Sequence, residues 1–189
     1  MKKIYSKTGD NGETRLINAE KLAKNSLVFE VLGTLDEFNA SLGLLLSNWE
    51  ETLSVNKEQL DLENLALEKK FLFNLQKQLF KLGAEIAKSP DVKLENSFLS
   101  KMEEQIDNLQ KKLGKDFWSN FVLPGGSQLA AQADIARTIC RRLERRLVAL
   151  DAERDLRDVL IKFVNRTSDY LYILRSYINH QLQIKEIAA

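Results

Sequence analysis

The chain has 189 residues, with 28 lysines and arginines against 27 aspartates and glutamates, for a net charge of +1. That length suits one domain with a substantial core, and the balanced charge argues against nucleic acid as the main partner, since strand or duplex binding needs a broad basic surface. Two prolines and eight glycines point to a mainly helical chain.

The single cysteine, Cys140, excludes an intrachain disulfide, and no cysteine pair is available for zinc. The N-terminus MKKIYSKTGD lacks the apolar centre of a signal peptide, and no apolar run approaches the roughly 18 residues that span a bilayer. A cytoplasmic protein without membrane contact is the expectation.

Residues 1–25 do not read as helix. IYSKTGDNGETRLI has short β-prone ends flanking a turn with Gly9 and Gly12, which predicts a hairpin centred there. From Leu27 the apolar positions Leu27, Val31, Leu35, Phe38, Leu42, Leu45 and Trp49 recur at spacings of three and four, an amphipathic helix. Residues 50–67 are polar and less regular, a connection with some helix. A second helix reads through Phe71, Leu75, Leu79, Leu82 and Ile86 and stops before Pro90. A third runs through Leu99, Met102, Ile106, Leu109 and Leu113, with Gly114 as its cap.

Residues 115–126 form an aromatic, glycine-containing break. A fourth long helix starts near Ser127, which can cap its first turn, and runs to about Leu150, with a bend at 151–155. The last helix carries Leu156, Val159, Phe163, Tyr170, Leu174 and Tyr177. Five helices with short connections read as an all-α antiparallel bundle preceded by a short non-helical segment.

The fourth long helix contains RTICRRLERR, which stacks Arg137, Arg141 and Arg145 at steps of four, with Arg142 and Arg146 alongside. Its apolar stripe, Ile135, Ile139, Leu143 and Leu147, lies on roughly the opposite side. Arginine's planar fork donates two parallel charge-assisted hydrogen bonds, which suits a polyphosphate. A solvated face tied by intrahelical pairs such as Arg141–Glu144 is the competing reading.

Three other segments are candidates for chemistry. In SKTGDNGETR, residues 6–15, the glycines let backbone N–H groups form a nest for phosphate, with Lys7, Thr8 and Thr14 adding donors; a plain turn is equally consistent. FVLPGGS, residues 121–127, brings Phe121 and two glycines to a helix N-terminus, and with Phe117 and Trp118 it makes either a plug over the bundle end or a lid on a flat apolar ligand. NRTSDYLYILR, residues 165–175, sets Asn165, Ser168, Asp169 and Arg175 beside a core stripe, as buried hydrogen-bonded groups or as ordinary exposed ones. No Ser-His-Asp set or HExxH is present, and the lone His180 lies near the end of the chain.

Taken in order, these segments resemble the PduO-type ATP:cob(I)alamin adenosyltransferases. The family's TKTGDxG pattern stands here as Ser6 to Gly12, its GTxDELN as Gly33 to Asn39, its FxLPGG[TS] as Phe121 to Ser127, its ARTxxRRxER as Ala136 to Arg145, and its NRLSDYLF as Asn165 to Tyr172. Asn18-Ala19 stands where Gly-Gly is common, Asp134 where His is frequent, and Thr167 replaces a Leu.

The resemblance implies one corrinoid adenosyltransferase domain over 1–189, with an ATP-binding segment at 1–25 and a helical bundle at 26–186. It implies a homotrimer with active sites between subunits, transferring the 5′-deoxyadenosyl group of ATP, with Mg²⁺, to the cobalt of cob(I)alamin. Ser6, Lys7, Thr8, Gly9, Thr14, Arg15 and Lys24 would hold ATP, completed by Arg141, Arg142, Glu144, Arg145 and Asn165. Arg137 would pair with Asp36 across the subunit boundary, and Phe121 would lie beneath the corrin ring, leaving four-coordinate cobalt(II) that is easier to reduce. Asp36, Phe121, Arg137 and Arg141 are thus the expected catalytic set, and the product could be handed to an adenosylcobalamin-dependent enzyme. Cobalt(I) is itself a strong nucleophile, which fits the lack of an evident nucleophilic side chain. A non-catalytic helical module that binds ATP or polyphosphate is the alternative.

Overall fold

The computed structural model describes residues 5, 7, 9–53, 60–114 and 121–189. Two short strands, β1 (Glu13–Arg15) and β2 (Lys21–Ala23), precede α1 (Leu27–Ser47), the short α2 (Trp49–Leu53), α3 (Leu62–Ile86), α4 (Asn96–Leu113), α5 (Gln128–Arg154) and α6 (Asp158–Gln181). The five long helices form the expected bundle: α5 packs between α1 and α6, α3 lies against α1, and α4 against α6. No helix among the described residues is long and apolar enough to cross a membrane.

The periodic positions carry the core. Val31, Phe38, Leu42 and Leu45 of α1, Leu72, Leu75, Leu79 and Leu82 of α3, and Phe163, Tyr170, Leu174 and Tyr177 of α6 are buried together. An aromatic cluster ties three helices: Phe71 stacks on Phe98 at 5.1 Å and tilts against Tyr170 at 4.9 Å, and Phe98 meets Phe163 edge-on.

Besides Trp49 falling in α2 and Leu156 preceding α6, three features differ from the sequence expectation. Helix α3 begins at Leu62, inside the stretch read as a polar connection, because Asp61 caps it by accepting from the Asn64 amide and Leu65 and Glu68 turn inward. The hairpin pairs Glu13–Arg15 with Lys21–Ala23 around residues 16–20, so the Gly9–Gly12 turn precedes it rather than forming its tip. On α5, Ile135 faces outward at 55% exposure; the buried stripe is Ala133, Ala136, Cys140, Leu143 and Leu147, and its small residues Ala133, Ala136 and Cys140 let α5 approach its neighbours closely.

Helix α5 runs to Arg154 and ends on Asp155 in the left-handed region (φ 45°), with the Asp151 carboxylate accepting from the Leu156 amide at 2.7 Å. Gly114 closes α4 at φ 87°, as read from sequence. Ser127 caps α5, accepting from the Ala130 amide at 3.1 Å.

Glu68 is an acidic side chain buried among the apolar faces of α3, α4 and α6, and it accepts from Gln105 Nε2 and the Tyr170 hydroxyl, both at 2.8 Å. Burial pushes its pKa up to about 7 despite those two bonds. The folded state therefore disfavours the ionised form, so the contribution of Glu68 to stability is greatest below the ordinary carboxylate range and is lost as pH rises through about 7. Glu68→Gln should stabilise the fold at pH 8 by about 2 kcal/mol and have little effect at pH 4.5. Urea midpoints at the two pH values check this, and equal gains at both would refute it.

Candidate functional site

The first group of predicted site residues surrounds the Gly9–Gly12 turn. The Asp10 and Gly12 amides bond back to the carbonyls of Lys7 and Gly9 at 3.4 and 3.3 Å, so two of the N–H groups expected to face an anion are committed to the turn itself. The donors offered outward are side chains. Lys7 is exposed, with φ 62°, and its ammonium lies 6.0 Å from the Tyr5 ring centroid. The Lys24 amide donates to the Gly12 carbonyl at 2.9 Å, and a Cβ on Gly9 would lie 3.1 Å from Lys24 Nζ. Glycine at position 9 thus lets a second ammonium rest on the turn.

Ala19 adopts φ 68°, the left-handed conformation that a glycine would take without strain, and its carbonyl accepts from the Arg15 guanidinium at 3.1 Å. The Asn18-Ala19 departure therefore leaves a tight turn in place and Lys24 at Gly9. Thr14 is half-buried in β1 opposite Leu22. Ser6 and Thr8 lie outside the described residues, as do Phe117 and Trp118.

The second group is on α5. Arg141 and Arg145 are exposed, and Arg145 donates to the Arg141 carbonyl at 3.0 Å. The expected Arg141–Glu144 tie is replaced by a cross-helix bond, with Asn165 Nδ2 of α6 donating to Glu144 at 2.8 Å. Crowding along the ladder is relieved from α1: Arg142 pairs with Glu37, and Arg146 meets Glu30 at 3.1 Å and the Thr34 hydroxyl. The ladder thus divides into a flank bound to α1 and a flank, Arg141 with Arg145, turned to solvent. Such a paired outward fork suits phosphate oxygens.

Arg137 is half-buried and donates to Asp134 at 3.0 Å. Asp36 is exposed on α1, and its side chain has no hydrogen bond or ion pair to another described residue; it edges a groove of about 310 Å³ with Ile17, Leu35, Phe80 and Gly83. Phe80 there is 73% exposed, and Phe121 is 88% exposed at the opposite helix entry.

The hairpin is anchored by Ile17, whose amide donates to Ala87, and by Glu20, which accepts from Arg154 at 3.0 Å. Arg154 lies thirteen residues beyond Arg141 on α5, about 20 Å of helical rise.

Sequence reading passed over the groups that support the Phe121 loop. Asn179 and Glu186 belong to no motif, and the ending IKEIAA gives no signal beyond one acidic residue among apolar ones. Arg175, left open between buried and exposed, is 1% exposed and ion-paired with Asp134 and Glu186, each at 3.1 Å. Cys140 is buried, its thiol donates to the Val164 carbonyl at 3.3 Å, and burial pushes its pKa far up, so it offers no thiolate. His180 is exposed. Among the described residues no group of three or more His, Cys, Asp or Glu could hold a metal ion.

The family model described as cobalamin adenosyltransferase matches residues 4–178. The chain is 35% identical over 188 residues to a corrinoid adenosyltransferase of Bacillus subtilis (strain 168), covering 98% of this chain and 91% of that one. It is also 35% identical over 179 residues to a cobalamin adenosyltransferase of Cupriavidus metallidurans, covering 95% and 89%. Among solved structures it matches a phenylalanine-to-alanine variant of the PduO-type ATP:corrinoid adenosyltransferase of Lactobacillus reuteri, complexed with cobalamin and ATP. The TM-score is 0.85 at 31% identity, over 99% of both chains. An arginine-to-lysine variant of that protein, complexed with ATP, matches with a TM-score of 0.81 at 31% identity, over 98% of this chain and 99% of that one.

Proposed function

This chain belongs to the cobalamin adenosyltransferase family, and on that premise we propose that it transfers the 5′-deoxyadenosyl group of ATP to the cobalt of cob(I)alamin, giving adenosylcobalamin and triphosphate. The observation that carries this reading is the outward display of the groups the reaction needs. Arg141 and Arg145 point to solvent, two lysines sit on the Gly9 turn, and Phe121 stands clear of the core.

The cobalt electron pair forms the bond to the 5′-carbon, and the bonding pair of the C5′–O bond leaves with triphosphate. No protein nucleophile is required, consistent with the inert Cys140. The chain's task is to hold the 5′-carbon in line with cobalt and to stabilise charge growing on the departing oxygens. In this reading Lys7, Gly9, Thr14, Arg15 and Lys24 hold ATP from one side, joined by Ser6 and Thr8. Arg141, Arg142, Glu144, Arg145 and Asn165 complete the site, with Glu144 set by its bond from Asn165.

Mg²⁺ commonly binds through one or two carboxylates, substrate phosphates and water. Asp10, exposed on the same turn and without an ion pair among the described residues, would supply such a carboxylate, whereas Glu13 is taken by Lys21. The bound ion would neutralise part of the triphosphate charge.

The exposed Asp36, whose side chain has no hydrogen bond or ion pair among the described residues, supports a site completed by a second copy, and with it a homotrimer whose sites lie between subunits. Unpartnered Asp36 beside the apolar Ile17–Phe80 groove would then receive Arg137 of a neighbouring subunit. A monomer by light scattering would remove this part of the reading. The free Cys140 fits a reducing cytoplasm, where ATP and reduced cobalt meet, and the product would pass to an adenosylcobalamin-dependent enzyme.

Anoxic incubation with ATP and chemically reduced cobalamin tests the activity. Adenosylcobalamin with stoichiometric triphosphate is expected; unchanged ATP would leave only an ATP-binding module.

A further inference from the structure

Phe121 is almost fully exposed, yet its backbone is tightly held. The Ala189 amide donates to the Phe121 carbonyl and the Leu123 amide to the Ile187 carbonyl, both at 2.8 Å, around a single antiparallel bridge between Val122 and Ala188. The far side of the loop lies on Asn179, in the last turn of α6. Asn179 Nδ2 donates to the Gly125 carbonyl at 3.1 Å, and its Oδ1 accepts from the Ser127 amide at 3.0 Å. A Cβ on Gly126 (φ 96°) would come within 2.4 Å of that amide, so the loop backbone rests directly on Asn179.

Both supports meet at Glu186. Its carboxylate accepts from Asn179 Nδ2 at 3.2 Å and from the Ser176 hydroxyl at 3.5 Å, and it pairs with the buried Arg175 guanidinium at 3.1 Å. Arg175 in turn faces Asp134, which also holds Arg137. A buried guanidinium loses much on losing a partner, so Glu186 is fixed strongly, and residues 187–189 are aligned with the loop as a consequence.

We propose that Glu186 is a positioning residue for Phe121: through Arg175 and Asn179 it locks residues 186–189 against the 121–127 loop and so fixes where the ring is presented. The role of the ring itself rests on the adenosyltransfer reading; the tether does not. A ring on an untethered loop would spend binding energy on ordering before it could meet a flat apolar substrate face.

The test compares the full chain with Glu186→Ala, Glu186→Gln and Ala189→Pro. Glu186→Ala should speed amide hydrogen exchange at Leu123 and Ser127 about tenfold while amides in the middle of α3 stay unchanged. It should lower kcat about tenfold, with KM for ATP within about twofold. Glu186→Gln should recover most of both, because its amide oxygen still accepts from Asn179 and Arg175. Ala189→Pro removes the amide that donates to Phe121 and leaves Glu186 in place, so it reports on the tether if Glu186→Ala fails to fold; faster exchange at Leu123 with a smaller loss of kcat is expected. Unchanged exchange in Glu186→Ala, or faster exchange with unchanged kcat, would overturn the proposal. A wild-type chain without adenosyltransfer would sink the functional reading instead, while the exchange data still decide the tether.

Discussion

Replacing Phe121 with alanine is expected to abolish most turnover while leaving the fold and ATP binding as they are. The ring is 88% exposed, so its removal empties no cavity, and the melting temperature should move by no more than a surface substitution does. In the proposed adenosyl transfer, its contribution would be spent on the corrinoid. Covering the lower corrin face excludes an axial base or water, and burying a phenylalanine ring is worth about 1.5–3 kcal/mol. If that energy drives axial displacement, its loss corresponds to a fall in kcat of about ten- to a hundredfold. Steady-state kinetics with cobalamin and ATP, beside the spectrum of cobalt(II) in the bound complex, check this. The variant should keep an axially ligated cobalt(II) where the wild type shows a four-coordinate one. Normal turnover in Phe121→Ala would refute the assigned role.

The bundle was legible because burial follows helical period: α1, α4 and α6 could be placed from apolar spacing with little else. Helix α3 was legible only from Phe71 onward. Its first turns bury Leu65 and Glu68, and a buried carboxylate satisfied by Gln105 and Tyr170 cannot be told from a surface one without the partner helices. The same limit applied on α5. Spacing could assign an arginine face, but it could not show that Glu30 and Glu37 of α1 would take Arg146 and Arg142 and leave Arg141 and Arg145 to solvent. Apolar spacing alone puts the large Ile135 on the core stripe, whereas in the fold the small Ala133 and Ala136 make the close contact. The Asn179–Glu186 support was invisible because its members are joined only by the path of the chain end beneath the loop.

Arg141→Ala should give the second large loss, and it separates electrostatic from structural roles for the ladder. Arg141 has an exposed side chain, and its carbonyl, which accepts from Arg145, survives the substitution; stability should therefore change by less than about 0.5 kcal/mol. Each charge-assisted bond to a phosphate oxygen is worth about 1.5–3 kcal/mol, and it strengthens as charge builds on the leaving triphosphate. Turnover should fall about ten- to a hundredfold, more than ATP affinity does, because the lost contact is stronger in the transition state than in the ground state. Arg141→Lys keeps the charge but not the two-pronged geometry, so it should recover only part of the loss. The comparison also bears on where the nucleotide lies. If Arg141→Ala turns over normally while substitutions at Lys7 or Lys24 abolish activity, triphosphate departs along the Gly9 turn alone and the guanidinium pair on α5 has another task. If Arg141→Ala and Lys24→Ala are each crippled but regain activity when mixed, each site draws one residue from each of two copies, because a mixed assembly then contains some sites that carry both.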